Sequence, residues 1–217
     1  MVSDSEKLKQ LKIYYLFMHA DGESSLPEKR YLDDILAKSE LSEESAQEFR
    51  VFCKQMVLEA TSKIPEVIEK KIDELLGKRE SSPSYSPFPF SVPDFSLLTQ
   101  QIISRVLYGS LEGSKVLQAQ TIWTLINLGY ADSEYSEAEK QVVNHLIQRW
   151  NTNPVLVAEF NDTADTILAL TLQKEWVQKS NRQPADISRI IQELDRSIAS
   201  MLANVEISIS EANIAIA

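Results

Sequence analysis

Residues 20–29 read Ala20-Asp21-Gly22-Glu23-Ser24-Ser25-Leu26-Pro27-Glu28-Lys29, and residues 131–140 read Ala131-Asp132-Ser133-Glu134-Tyr135-Ser136-Glu137-Ala138-Glu139-Lys140. Six of these ten positions are identical at an offset of 111. A second match follows in the same order: Pro65, Ile68, Ile72, Glu74 and Leu75 recur as Pro184, Ile187, Ile191, Glu193 and Leu194, now 119 residues apart. Two ordered matches mark an internal duplication, the feature to look for before any other because it sets the whole architecture. The offset grows by eight residues, about two helical turns, which leaves a helix nearly in phase. The sequence suggests an insertion near residues 153–160, ahead of Asn161-Asp162, which reads as a helix start.

Working outward from the two turns, each copy resolves into four helices. The first copy predicts helices over 6–20, 26–38, 43–61 and 65–78; the second over 115–130, 137–150, 162–179 and 184–203. Phe49, Phe52, Cys53, Met56 and Ala60 recur at three–four spacing and predict one buried stripe, with Leu168, Leu172 and Trp176 as its counterpart. Pro65 and Pro184 fall in first turns, where the missing N–H has no intrahelical partner to lose. One further helix is expected over 95–110. The fold class is therefore all-α: two tandem helical units packed as a bundle, residues 1–79 and 95–204, with a short extended linker and tail.

The linker, residues 80–94, holds four of the eight prolines together with Tyr85, Phe88 and Phe90. Proline density favours an extended path, and the rings suggest a connector pinned to the core rather than a free chain. In the tail, residues 205–217, Val205, Ile207 and Ile209 alternate with Glu206, Ser208 and Ser210, a strand-like period in a helical chain.

Composition narrows the function classes. With 43% hydrophobic residues among 217 and only five glycines, the chain can bury a sizeable helical core. A net charge of −10, with no run of Lys or Arg longer than a pair such as Lys70-Lys71, argues against nucleic acid and anionic membrane surfaces as partners. A single cysteine, Cys53, rules out an internal disulfide and fits a reducing compartment. The polar start MVSDSEKLKQ is unlike a secretory signal, and the longest apolar stretches fall well short of a membrane span, so the cytoplasm is the expected location without membrane insertion.

The chemistry rests on the acidic turns. Ser25 with Glu28 and Ser136 with Glu139 have capping-box spacing: the serine oxygen accepts from a helix-start N–H while the glutamate reaches back. Asp21, Glu23, Asp132 and Glu134 would lie near positive helix ends. Gly22 suits a tight turn, whereas Ser133 must make it with a β-carbon. That structural role is complete by itself. Alternatively Asp21, Glu23 and Glu28, with Asp132, Glu134 and Glu139, gather a divalent cation, since carboxylates suit hard ions such as calcium or magnesium. The loop is not an EF-hand: Leu32 and Val143 stand where the bidentate glutamate would be required.

The run Ala20-Asp21-Gly22-Glu23, followed by Glu28, resembles the helix-opening turn of the tellurite-resistance TerB-like domains, which also form the amino-terminal part of DjlA-type membrane co-chaperones. The specific motif covers about 20 residues per copy, and the second copy departs from it with Ser133 at the glycine position. The resemblance implies an all-helical fold, a bacterial stress-response or scaffolding setting, and acidic residues that bind metal. No His-Pro-Asp triplet is present, so the chain is not a J-domain co-chaperone.

No catalytic residue is assigned. Two histidines and one cysteine cannot build a typical structural zinc site, and neither a nucleophile elbow, a P-loop nor a dinucleotide glycine pattern occurs. Cys53 reads as core, His19 as a hydrogen-bonded histidine near the acidic turn, and His145 as a surface or interface residue. Trp123, Trp150 and Trp176 read as core anchors. The expectation is a non-enzymatic interaction module with an unidentified protein partner and a divalent cation as its one suggested cofactor. The alternatives are a metal-dependent hydrolase, which needs carboxylates from both copies in one pocket or help from Asp33 and Asp34, and a plain scaffold that binds through linker or tail. Oligomeric state is not legible.

Overall fold

A computed structural model describes residues 2–21, 24–62 and 114–212, with backbone alone for 57–62. Among them all regular structure is α-helical: α1 (Asp4–Phe17), α2 (Leu26–Lys38), α3 (Glu43–Ser62), α4 (Lys115–Gly129), α5 (Glu137–Trp150), α6 (Pro154–Gln178) and α7 (Pro184–Glu211). The predicted helices over 65–78 and 95–110 and the linker over 80–94 lie outside the described residues. No described helix is long and apolar enough to cross a membrane.

The duplication is written in the helix starts. α1, α2 and α3 begin at Asp4, Leu26 and Glu43; α4, α5 and α6 begin at Lys115, Glu137 and Pro154, each 111 residues on. Ser3 and Ser114 cap the first helix of each half, accepting from Glu6 N–H and Leu117 N–H, both at 3.3 Å. Beyond the second helix of each half, Glu40 and Asn151 take the left-handed conformation with φ of 49° and 48°. Asparagine tolerates that region, and a glutamate there is strained.

α1 and α4 form the centre of the bundle. Leu8, Leu11, Ile13, Tyr14, Leu16 and Phe17 are buried on α1, and Leu117, Ile122, Leu125, Ile126 and Leu128 on α4, so neither helix keeps a wide solvent face. The two meet through Gln10 Nε2, which donates to Thr121 Oγ1 at 3.0 Å. These positions are themselves 111 apart. Equivalent positions of the two first helices therefore face each other across the seam between the halves. Tyr14 lies in the same seam, bonded to Thr121 and Thr124, and its burial pushes the phenol up to about 12. Phe49 of α3 and Phe160 of α6, again equivalent, pack edge-on and tilted against Tyr15 (6.2 Å) and Trp123 (5.5 Å). Burying such a ring contributes roughly 1.5–3 kcal/mol. One cluster of buried residues draws on both halves.

Four sequence expectations need correction. The insertion does not fall at 153–160, because Phe49 and Phe160 still match at 111; the extra two turns fall after Phe160. Asn161-Asp162 does not open a helix. Asn153 does, accepting from Val155 N–H at 2.9 Å with Pro154 in the first turn, while Asn161 sits in the helix interior and donates to Val157 O at 2.9 Å.

The distal stripe is also displaced: Leu172 is 49% and Trp176 61% exposed, and the buried positions are Phe160, Ala164 and Val177. Far from the core, α6 has α7 beside it, so one face suffices there. Trp176 instead carries Arg182 over its ring at 5.6 Å. Last, residues 205–211 are not extended but continue α7 to Glu211, past the expected end at 203. Val205 and Ile209, one turn apart, enter the core while Ile207 stays exposed. Tertiary packing overrides the strand-like alternation.

Candidate functional site

Each acidic turn starts where a central helix runs out. Ala20 N–H donates to Phe17 O at 2.8 Å, and Ala131 N–H to Leu128 O at 3.0 Å. In the second turn Ser133 N–H reaches Tyr130 O at 3.1 Å with Ser133 at φ 73°, a left-handed value that a glycine, as at the equivalent position 22, would adopt without a β-carbon penalty. Asp132 Oδ1 then accepts from Glu134 N–H at 3.0 Å. Gly22 and Glu23 lie outside the described residues.

Both capping boxes form, with matching geometry. Ser25 N–H donates to Glu28 Oε2 at 2.6 Å and Glu28 N–H to Ser25 Oγ at 3.3 Å. Ser136 N–H donates to Glu139 Oε2 at 2.7 Å and Glu139 N–H to Ser136 Oγ at 3.3 Å. The cap residues have φ and ψ of −71°, 159° and −70°, 159°.

The packing of the two halves brings these turns together. Asp21, Ser24, Ser25, Glu28, Asp132, Glu134 and Ser136 line one pocket of about 220 Å³. Glu28 and Glu139 are 5% and 3% exposed. Burial pushes Glu139 up to about 8; the Ser136 bonds oppose this, and the charges of Glu28 and Asp21 add to it. Burial likewise raises Glu28, opposed by Ser25 and reinforced by Asp132 and Asp21. The crossing is reciprocal: each glutamate feels the aspartate of the other turn. Tyr135, beside Glu139, is raised by burial and then by that carboxylate, and Lys140 stands over its ring at 5.5 Å.

Of the six predicted ligands, Asp21, Glu28, Asp132 and Glu134 line the pocket. Glu139 adjoins it electrostatically, and Glu23 is outside the described residues. Asp33 and Asp34 are on α2 and do not line it. Among the described residues no three His, Cys, Asp or Glu side chains are placed to hold a metal ion together. Two of the carboxylates are committed to capping, so the pocket concentrates negative charge without forming a closed coordination shell. His19 stays on the core side, ring edge against Tyr15 at 4.9 Å, and burial lowers its pKa. Cys53 is half-buried and its thiol is pushed up to about 11, a neutral packing residue rather than a nucleophile.

Sequence reading missed three features of this region. Gly129 lets the Tyr135 ring lie against the helix end: a β-carbon there would stand 2.5 Å from Tyr135 Cδ2. The first half reverses the sizes, with buried Met18 and small Ser24 at the equivalent positions. The third is the contact of Gln10 with Thr121, 111 residues on; every position of the first copy has an equivalent at that offset, so the sequence held no signal that these two meet. Searches of protein-family models, curated proteins and solved structures find no match to this chain.

Proposed function

We propose that the chain is a non-enzymatic helical interaction module, a tandem pair of TerB-like units, whose halves close over a shared carboxylate pocket that takes up a divalent cation. The observation that supports this is the convergence of Asp21, Glu28, Asp132 and Glu134 from the two duplicated turns into one 220 Å³ pocket. Glu28 and Glu139 are buried beside the more exposed carboxylates of Asp21, Asp132 and Glu134, a concentration of like charge that a proton or a cation would relieve. Hard oxygen donors select calcium, magnesium or manganese over softer ions. Because capping holds two glutamates, the cation is bound loosely, in the millimolar range of weak oxygen-ligand sites. Cation uptake then tightens the halves and sets the surface offered to a protein partner, in the stress-response or scaffolding setting that the TerB-like turn suggests.

Calorimetric titration of calcium, magnesium, manganese and zinc tests this. Heat, a raised melting temperature and proton release from the pocket are expected for at least one ion. The Asp21→Asn/Asp132→Asn variant should lose all three. No heat and no melting shift at millimolar metal would remove the cation from the proposal.

The same convergence favours one alternative, a metal-dependent hydrolase. Its nucleophile would be a metal-bound water, and the placement of Asp33 and Asp34 outside the pocket removes the extra carboxylates that one turn alone would need.

A further inference from the structure

We draw no further inference here: the strongest candidate, the exposed apolar face of the α6–α7 hairpin around Leu172 and Trp176, carries nothing because no observation in the structure shows what covers it.

Discussion

Replacing Glu139 by glutamine should stabilise the protein at alkaline pH and do progressively less as the pH falls. The carboxylate titrates at about 8 in the folded chain against an ordinary 4.5, so the native state holds its proton more tightly than the unfolded state. A raised folded pKa contributes stability that is fully present below about 4.5 and is lost as the pH rises through about 8. Every pH unit that separates the folded from the unfolded titration point corresponds to about 1.4 kcal/mol, so the full penalty on the ionised form is of the order of 3–5 kcal/mol. Glutamine keeps an oxygen for Ser136 N–H and carries no charge, so it escapes that penalty. Its other amide position adds two donors, which the carboxylates of the pocket can accept.

The assay is urea unfolding of wild type and Glu139→Gln at half-unit steps from pH 5 to 9. His19 and His145, both lowered by burial, act in the opposite sense, since their stability contribution rises through about 6.5. The quantity to read is therefore the difference between the two proteins, in which the histidines cancel. That difference should climb by roughly 1 kcal/mol per pH unit between 6 and 8 in favour of glutamine. A flat difference across the range would refute the coupling of Glu139 to the opposite turn and to burial.

Two further substitutions test the turn itself. Gly129→Ala should destabilise by about 1–2 kcal/mol, because the clash with Tyr135 outweighs the helix propensity that alanine adds; in a Tyr135→Ser background, which copies Ser24, the same change should be neutral or stabilising by thermal unfolding. Ser133→Gly should stabilise by about 0.5–1 kcal/mol, since φ of 73° penalises a β-carbon more than glycine's extra chain entropy costs. Denaturant midpoints check the second, and a loss of stability would show that the turn is held by the serine side chain.

How far the fold was legible depended on how local each signal is. The capping boxes at Ser25/Glu28 and Ser136/Glu139 need four consecutive residues, so spacing alone predicted both and the helix starts behind them. Identity at offset 111 was legible for the same reason. What depended on distant partners was not. Leu172 and Trp176 keep a buried-looking period, yet both stay exposed at that end of α6. Val205 and Ile209 satisfy a strand and a helix equally well until α4 stands beside them. Asn161-Asp162 has the composition of a cap, and Asn153-Pro154, eight residues earlier, simply caps better. For the site, the residue types were visible in the sequence, whereas their meeting was not: it follows from the seam between the halves at Gln10 and Thr121, which motif spacing does not encode.

Carbon-detected NMR titration of the Glu139 side-chain carboxyl measures the shared pocket most directly. Wild type should titrate near 8, and Glu28→Gln or Asp21→Asn should each lower the midpoint by the smaller part of the shift that charge contributes, leaving the larger part set by burial. A midpoint unmoved by either substitution would mean that the two acidic turns do not face each other, and a wild-type midpoint between about 4 and 5 would mean that Glu139 is not buried.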